Sequence, residues 1–292
     1  MPDADKTGVL RALLAADRAI VAPGAFDPMT ARMVEASGFP VIYLGGFSTA
    51  TAGGGIEPLL TLTEQVEAAR AITKRVLLPL LADGHAGFGG PLNTMNTVRE
   101  FIRADVAGIH IEDAVYPKRA ADHRGAAEMI SISEMVPKIR AAVQARGSSG
   151  FLVIGRTEAR PDDIDDAIRR LSAYAEAGAD VVMSLARDPD HCRRINRALA
   201  GVPTMVTALG ERPDGLEVSA KEYEDCGCKI IVYPGAAVWT AFQPLMAMYR
   251  RLRDTGRCGV AYSEPLSAVW DLMGLDQFEA IEAIEAAGAT AV

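Results

Sequence analysis

The chain has 292 residues, and its content of 49% hydrophobic and 23% charged residues is typical of a globular protein with a large core. Its formal net charge of −8 argues against binding to nucleic acid phosphates and against docking on an anionic membrane surface. The longest apolar runs, such as residues 76–82, are too short to cross a bilayer, and the sequence MPDADKTGVL lacks the pattern of a signal peptide. We therefore expect a soluble protein with no membrane or nucleic acid partner.

The spacing of the four cysteines predicts free thiols. Cys226 and Cys228 are only two positions apart, which is too close for an easy mutual disulfide, and Cys192 and Cys258 do not complete the spacing of a zinc site. Free thiols are typical of a reducing compartment, so we expect a cytoplasmic protein.

Short apolar runs that predict strands alternate with amphipathic segments that predict helices. Each run is nearly continuous in apolar residues, as is typical of a parallel strand buried on both faces. The predicted strands are residues 20–23, 41–46, 77–83, 108–113, 151–158, 180–186, 203–209 and 229–234. The predicted helices are residues 63–73, 93–104, 133–145 and 162–177, followed by 266–273 and 276–286 beyond the last strand. Several open with residues that cap helix N-termini.

Eight strand–helix alternations without a break in composition predict a closed (β/α)8 TIM barrel, with a doubly wound open sheet as the alternative. No linker rich in Pro, Gly or Ser divides the chain. We expect a single domain over residues 1–292, with the barrel at about 10–255. The C-terminal helical extension at 256–292 then has to pack on its own barrel or on a neighbouring subunit.

Polar residues at the C-terminal ends of barrel strands face the catalytic mouth. Asp83 and Glu112 end neighbouring predicted strands, and two such acids can hold Mg²⁺ or Mn²⁺, usually through water molecules. Arg156 ends the next strand and suits bidentate binding of a substrate carboxylate. The alternative for these residues is a structural ion pair between Arg156 and an acid.

Glycines and histidines near the strand ends add further candidates. The amides of Gly45 and Gly46 can approach an anionic oxygen closely, although tight turns also use such glycines. His85 has three possible roles, as a metal ligand, a proton-transfer group or a hydrogen-bonded wall residue. His110 lies between isoleucines, which favours an ordinary buried histidine, and His123 lies in a long loop where it could cover the substrate or stay at the surface.

The strand ends, taken in order, resemble the isocitrate lyase/phosphoenolpyruvate mutase superfamily from Leu10 to about Ala286. The segments that carry the resemblance are PGAFD at 23–27, YLGG at 43–46, AD at 82–83 with GFG at 87–89, NTMNTVREF at 93–101, IED at 111–113 with PKR at 117–119, RTEAR at 156–160 and IVYP at 231–234. The resemblance implies a Mg²⁺-dependent enzyme that acts on 2-keto or 2-hydroxy acids, usually through an enolpyruvate-like intermediate. Members cleave C–C bonds, decarboxylate or hydrolyse oxaloacetate, or rearrange phosphonates.

Two motifs depart from the family pattern at the site itself. The family motif after strand 3 resembles Asp-x-Asp-x-Gly-Tyr-Gly, whereas here the second Asp is His85 and the Tyr is Phe88. The lyase branch has Lys-x-Cys-Gly-His after strand 4, with the Cys as proton donor, whereas residues 118–123 read KRAADH and contain no Cys. The fold prediction survives these departures, but an assignment as isocitrate or 2-methylisocitrate lyase does not.

Other departures make the predicted pocket more apolar. The family's strand-6 Glu aligns near Leu185, and its strand-7 motif Asn-x-Thr-Glu reads MVTA at 205–208. The loop after strand 2 usually offers an Asp, for which Glu57 is the nearest acid here.

The resemblance and the strand ends together predict a Mg²⁺- or Mn²⁺-dependent lyase that cleaves a C–C bond of a small 2-keto or 2-hydroxy (di)carboxylate through an enolate. Metal binding is assigned to Asp83 and Glu112, with His85 as a further ligand. The residues assigned to catalysis and substrate binding are Tyr43, Gly45, Gly46, His85, Lys118, His123, Arg156 and Thr207. Tyr43 orients the enolate, and the proton comes from a histidine, from Lys118 or from water.

Three alternatives remain open. An oxaloacetate-type decarboxylase demands less of a dedicated acid than an aldol-type lyase does. A metal-free hydrolase would follow if His85 and the lost acids abolish the metal site. A non-catalytic carboxylate-binding barrel is disfavoured, because a decayed site has no physical reason to keep Asp83, Glu112, Lys118 and Arg156 together.

Two surface features carry further expectations. The polar loop at 116–129 is predicted to close over the substrate and to bring Lys118 into the site. The eighth helix is apolar around much of its circumference at Trp239, Phe242, Leu245, Met246 and Met248. With the resemblance, which implies tetramers that exchange this helix, the pattern predicts a homotetramer (a dimer of dimers), or at least a dimer.

Overall fold

The computed structural model describes residues 5–120, 127–210, 217–259 and 266–289, and these residues contain eight parallel strands. The strands are β1 (Ile20–Pro23), β2 (Ile42–Leu44), β3 (Leu80–Asp83), β4 (Gly108–Glu112), β5 (Leu152–Arg156), β6 (Val181–Met183), β7 (Thr204–Thr207) and β8 (Ile230–Tyr233). Each strand lies inside its predicted range. Most predicted ranges are longer, because the residues at the strand ends leave the ladder and enter the loops.

Hydrogen bonds join the strands in the order β1-β8-β7-β6-β5-β4-β3-β2. The circle is nearly completed by a parallel bridge between Gly24 and Tyr43, where the Ala25 amide donates to the Tyr43 carbonyl over 2.9 Å. The predicted (β/α)8 barrel is confirmed. An open doubly wound sheet has two edge strands, whereas here β1 bonds to β8 on one side and bridges to β2 on the other.

Helices alternate with the strands. They are α1 (Lys6–Ala15), α2 (Pro28–Ala36), α3 (Gly46–Ala52), α4 (Leu62–Thr73), α5 (Pro91–Arg103), α6 (Ile132–Arg146), α7 (Ile164–Glu176), α8 (Pro189–Ala198), α9 (Ala220–Asp225), α10 (Ala236–Thr255), α11 (Leu266–Met273) and α12 (Leu275–Ala289). A short 3-10 helix covers Glu57–Leu59. The helices α4 and α6 start at capping boxes, in which Thr61 and Ser131 exchange hydrogen bonds with the Glu three residues on.

The core has two layers, one inside the barrel and one between the strands and the surrounding helices. Leu10 of α1 is fully buried in the inner layer, against residues such as Ile20 and Val41. In the same helix, Lys6 Nζ donates to the Thr73 carbonyl at the end of α4, and Arg11 Nε donates to the Gly150 carbonyl just before β5. Helix α1 therefore covers the N-terminal end of the barrel and leaves the C-terminal end for the site.

The chain packs as two compact units, one within Met1–Val238 and the other within Trp239–Val292. In the second unit, α11 and α12 contact each other. Large apolar side chains at helical spacing on α10 are about half exposed, namely Trp239, Phe242, Leu245, Tyr249 and Leu252. The single domain predicted over residues 1–292 stays a prediction.

Two expectations from composition can be compared with the described residues. None of their helices combines the length and apolar character needed to span a membrane. Cys192, Cys226 and Cys228 are buried free thiols, and Cys258 is an exposed free thiol. The prediction of free cysteines is therefore confirmed.

Candidate active site

Charged side chains converge where β3, β4 and β5 end. Asp83, Glu112 and Arg156 are the last residues of these strands, and the register pairs Glu112 with Arg156. The same register sets Asp83 beside His110 of β4. Asp83 and Glu112 are only 4% and 0% exposed. Residues that lie far apart in the sequence therefore form one buried cluster at the mouth of the barrel.

Lys118, in the loop after β4, connects this cluster to the segment after β2. Its Nζ lies 2.7 Å from Glu57 Oε1 and 2.8 Å from Glu112 Oε1. On the other side of Glu112, Arg156 Nη1 lies 3.4 Å from Oε2, and Arg156 Nη2 lies 2.5 Å from Glu158 Oε1. The ion pair that was the alternative role of Arg156 is thus present. Its Nε nevertheless donates no hydrogen bond to the described residues, which leaves part of the guanidinium for a ligand.

Burial and neighbouring charges act in opposite directions on these groups. Burial raises the pKa of Glu112, but Lys118 and Arg156 outweigh it and hold that pKa at about 2. Burial lowers the pKa of Lys118, whereas the carboxylates of Glu112 and Glu57 raise it well above its ordinary value. Burial also acts to raise the pKa of Asp83, but the nearby His110 and other basic neighbours outweigh it and lower that pKa. Asp83, Glu112 and Lys118 are therefore charged at neutral pH.

The donor atoms of the cluster fit a divalent cation. Glu112 is fully buried, and neither of its oxygens accepts a hydrogen bond from the described residues, although the Lys118 ammonium is close. Lys118 and Arg156 balance its charge, but its two oxygens keep lone pairs that a further cation can share. Ligand atoms of Glu57, Asp83 and His85 lie within 4.8 Å of one another, close enough for one ion. The structure thus groups Asp83 with Glu57 and His85, while the predicted pairing of Asp83 with Glu112 at a metal stays a prediction.

Tyr43 forms a hydrogen-bonded pair with His110 at the end of β2. The Tyr43 hydroxyl lies 2.7 Å from His110 Nε2, and His110 Nδ1 lies 3.6 Å from Asp83 Oδ1. Burial, more than the nearby Asp83, raises the pKa of Tyr43 well above its usual value. Burial also lowers the pKa of His110 to about 4, against the opposing effect of Asp83. At neutral pH a protonated Tyr43 is therefore hydrogen-bonded to a neutral imidazole.

His85 lies between Gly46 and Glu57. Its Nδ1 is 3.5 Å from Glu57 Oε1, and its buried Nε2 has no hydrogen-bond partner among the described residues. A Cβ added to Gly46 would lie 2.3 Å from His85 Cε1 and 2.6 Å from Nε2. The Gly46 amide itself donates to Asp83 Oδ2 over 3.3 Å. Gly46 is therefore required at this position, because only a residue without a side chain leaves room for the His85 ring.

Asp113 is adjacent to Glu112 in the sequence but belongs to a different network. Its Oδ2 accepts hydrogen bonds from Thr157 Oγ1, Tyr174 OH and Arg170 Nη1 over 2.8, 2.6 and 3.0 Å. Its Oδ1 accepts a further bond from the Glu158 amide over 2.8 Å. Asp113 therefore ties the ends of β4 and β5 to α7 and has a structural role.

The remaining predicted residues are placed as follows. Gly45 immediately precedes α3, and Thr207 is the buried last residue of β7 at the same end of the barrel as Asp83. His123 lies outside the residues that the structure describes. Of the loop at 116–129 that is predicted to close over the substrate, residues 121–126 are likewise outside them.

Sequence reasoning gave too little weight to two residues of the cluster. His110 was interpreted as an ordinary buried histidine, and it is buried, but its ring contacts both Tyr43 and Asp83. Glu57 was noted only as the nearest acid, and its side chain is 9% exposed beside Lys118 and His85. The signal for His110 was its position one strand across from Asp83. No comparable signal placed Glu57, because a segment of loop and short helix separates it from β2.

Comparison with known proteins agrees with this geometry. The family model described as phosphoenolpyruvate phosphomutase matches residues 10–253. The chain belongs to the isocitrate lyase/phosphoenolpyruvate mutase superfamily. It is 36% identical to the 2,3-dimethylmalate lyase of Eubacterium barkeri over 280 residues, which cover 94% of this chain and 96% of that protein.

Two solved structures of the superfamily extend the comparison. Oxaloacetate acetylhydrolase in complex with the inhibitor 3,3-difluorooxalacetate superposes with a TM-score of 0.86 at 28% identity, over 98% of both chains. Phosphonopyruvate hydrolase in complex with oxalate and Mg²⁺ superposes with a TM-score of 0.83 at 29% identity, over 95% of this chain and 98% of that one. Superfamily relatives thus include both lyases and hydrolases, and Mg²⁺ is their usual metal.

Proposed function

We propose that the protein is a metal-dependent C–C bond lyase that acts on a small 2-hydroxy or 2-keto dicarboxylate through an enolate. The observation that carries the proposal is the buried Glu112 carboxylate, which lies between Lys118 and Arg156 and accepts no hydrogen bond from the described residues. A buried carboxylate whose oxygens accept no hydrogen bond is costly, and a ligand that uses those oxygens offsets part of that cost. The similarity to 2,3-dimethylmalate lyase supports the same reaction class.

Substrate binding is assigned to groups at the mouth of the barrel. Arg156 offers its unpaired Nε and a charged fork to one carboxylate. The Gly45 and Gly46 amides and the Thr207 hydroxyl are assigned to the far oxygens of the substrate. We assign metal binding to Asp83, Glu112 and His85, together with Glu57, whose carboxylate lies within 4.8 Å of the ligand atoms of Asp83 and His85, and we propose Mg²⁺ or Mn²⁺ as the ion. When bound, the ion offsets negative charge that develops on the substrate oxygen.

As the C–C bond of a 2-hydroxy acid breaks, the hydroxyl proton passes to a base in the site, and the hydroxyl oxygen becomes the carbonyl of a 2-oxo acid. The electron pair of the broken bond leaves with the second fragment as an enolate, which a proton donor then protonates. Tyr43, which His110 holds by a 2.7 Å hydrogen bond, orients that enolate. Lys118 is the best placed of the predicted proton donors, because its ammonium lies in the cluster. His85, His123 and water are the other donors proposed.

A decarboxylase or hydrolase of the same superfamily is the second candidate function. It is favoured by the sequence at 118–123, which has no Cys in the position of the lyase proton donor. Decarboxylation of a 2-keto diacid requires less of a dedicated acid, since carbon dioxide leaves without a proton. The similarity to oxaloacetate acetylhydrolase supports the hydrolase form. A non-catalytic carboxylate-binding barrel would bind these acids without turnover.

A substrate screen distinguishes these functions. The protein is stripped with a chelator and incubated with 2-hydroxy and 2-keto dicarboxylates, with and without added Mg²⁺ or Mn²⁺. A lyase releases a 2-oxo acid from hydroxy diacids, a decarboxylase releases carbon dioxide from keto diacids, and a hydrolase releases two carboxylic acids. We expect 2-oxo acid release that chelation abolishes and either ion restores. Full activity in excess chelator would instead support a metal-free hydrolase.

The remaining proposals concern assembly and location. We propose one domain that assembles as a homotetramer, or at least a dimer, through its C-terminal helices. The half-exposed apolar residues of α10 support this assembly. The free thiols support a cytoplasmic location.

A further inference from the structure

His85 is held in an unusual backbone conformation next to the acidic cluster. Its φ of 49° lies in the left-handed region that few residues other than glycine adopt. Two hydrogen bonds fix the residue there, one from its amide to Asp83 Oδ1 over 2.8 Å and one from the Glu112 amide to its carbonyl over 2.9 Å. Backbone strain of this kind is retained mainly at functional sites. The orientation of the imidazole is therefore tied to both acids.

The two nitrogens of the ring have different surroundings. Nδ1 faces Glu57 Oε1 over 3.5 Å, whereas Nε2 is buried without a partner. The ring packs against Phe88, with a centroid distance of 5.0 Å, and lies directly over Gly46. His85 is only 3% exposed, so Nε2 is not hydrated at the protein surface. Such a buried nitrogen is costly unless a ligand uses it.

The donor set also has a distinctive charge. Asp83, Glu57 and Glu112 are opposed by Lys118, while Arg156 and Glu158 form a neutral pair. These carboxylates and cations together leave two formal negative charges, which one divalent ion balances. One more carboxylate in place of the imidazole would leave three. The imidazole therefore keeps the charge of the site matched to a single divalent ion while it adds a nitrogen donor.

Nitrogen donors change the preference among divalent ions. Mg²⁺ prefers oxygen ligands in a strict octahedron, whereas imidazole suits transition metals, whose affinity for such sites rises from Mn²⁺ towards Co²⁺ and beyond. We infer that His85 is a direct metal ligand together with Asp83 and Glu57, and that it shifts the preference of this site from Mg²⁺ to Mn²⁺ or Co²⁺. The inference rests on the metal site of the proposed function and goes beyond it in naming the donor that selects the ion.

The inference is tested by metal binding in the absence of substrate. Chelator-stripped full-length protein is titrated with Mg²⁺, Mn²⁺ and Co²⁺ by calorimetry, and pulsed EPR of the Mn²⁺-loaded protein detects a coordinated ¹⁴N. The variants are His85→Asp, which restores an all-oxygen donor set, and His85→Asn, which tolerates the left-handed backbone. His191→Asp, on α8, is the matched control because it makes the same chemical change away from the cluster.

We expect the wild type and His191→Asp to show the ¹⁴N signal and to bind Co²⁺ at least about 100-fold more tightly than Mg²⁺. In His85→Asp the signal should vanish and the preference for Co²⁺ should fall at least about tenfold. His85→Asn should also lose the signal, which keeps the test valid if one variant is unstable. Mn²⁺ binding without a ¹⁴N signal in the wild type, or no binding at all, overturns the inference.

These outcomes are separable from the fate of the proposed function. A protein that binds Mn²⁺ through His85 but turns over none of the acids supports the inference and removes the lyase proposal. A Mg²⁺-dependent lyase whose Mn²⁺ EPR spectrum shows no coordinated ¹⁴N supports the lyase proposal and overturns the inference. If His85 only hydrogen-bonds to Glu57, His85→Asp leaves the ratio of Co²⁺ to Mg²⁺ affinity unchanged, which also overturns the inference.

Discussion

Glu112 shows how a single carboxylate organises this site. It is fully buried at the end of β4, with Lys118 on one oxygen and Arg156 on the other. Breaking a buried pair by removing one partner is strongly destabilising, because a charge is then left without compensation. A substitution that tests a binding role in this cluster should therefore keep the charge of the side chain and change only the shape of its charged group.

Arg156→Lys makes that separation, because it keeps the positive charge and removes the planar fork. We expect substrate binding to weaken by roughly 10- to 100-fold, which corresponds to one charge-assisted hydrogen bond of about 1.5–3 kcal/mol. The unfolding midpoint should change little, since a cation still faces Glu112 and Glu158. Binding is measured by calorimetry with an inert substrate analogue. Arg169→Lys, at an exposed position on α7, is the control, and an Arg156→Lys variant with wild-type affinity would contradict the binding role.

Gly46→Ala tests the close approach of His85 to the backbone. The added Cβ would lie 2.3 Å from the imidazole, so the ring has to move. We expect a loss of about 1–3 kcal/mol in the free energy of unfolding, the usual cost of overpacking, together with a fall in kcat. Gly55→Ala, which meets only an ordinary contact at 3.8 Å, is the control.

A double variant sharpens this prediction. Gly46→Ala combined with His85→Gly removes the clash and relaxes the left-handed position, so stability should recover while activity stays low. Denaturant unfolding and kcat are measured for all four combinations. Equal instability in the single and double variants would show that His85 is not the obstacle.

At the scale of elements, the loops after β2 and β4 meet through one ion pair. Glu57 belongs to the short helix Glu57–Leu59, and Lys118 belongs to the loop between β4 and α6. Phe88 of the loop after β3 stacks edge-on against Tyr116, with a centroid distance of 6.1 Å. Three βα loops thus contact one another beside the proposed metal donors, which is where catalysis is expected in a TIM barrel.

Lys118→Ala tests the contribution of this loop to turnover. We expect kcat to fall by about 100-fold or more, as for loss of a proton-transfer group, with a smaller change in KM. The adjacent Arg119→Ala is the matched control, because Arg119 is 66% exposed and pairs with Glu128 at the surface. Steady-state kinetics of both variants provide the measurement. Normal turnover in Lys118→Ala would show that Lys118 has no catalytic role.

At the scale of the whole molecule, the C-terminal unit exposes more apolar surface than an isolated chain usually tolerates. On α12, Phe278 and Ile281 are 61% and 59% exposed, and α10 presents Phe242 and Leu245 at 55% and 48%. Large contiguous apolar surfaces of this kind are typical of interfaces. We expect another copy of the chain to cover them.

Sedimentation at micromolar concentration measures this assembly. The wild type should sediment as a tetramer or a dimer, and Phe242→Glu and Phe278→Glu should shift it to the monomer, since a charge at the centre of an apolar interface is costly. Leu92→Glu, at an 81% exposed position on α5, should leave the assembly unchanged. A wild-type monomer would rule out the prediction.

Many features of this protein follow from its sequence alone. The eight apolar runs determine the strands, because strands buried on both faces of a barrel require continuous apolar residues. The polar residues that end these runs, Asp83, Glu112 and Arg156, mark the mouth, since a charged side chain is tolerated only where the strand leaves the core. Helix α1 was not predicted, because the burial of Leu10 depends on contacts with strands, most of which lie far away in the sequence.

The partners of each charge were decided by the tertiary structure. Glu112 and Asp113 are adjacent, yet the alternation of side chains along a strand sends Glu112 towards Lys118 and Asp113 towards Arg170 and Tyr174. Glu57 reaches the site only because α3 and the following turn fold back over the mouth. The energy of a charge depends on distances of 3–4 Å between groups far apart in the chain, and only the folded barrel determines those distances.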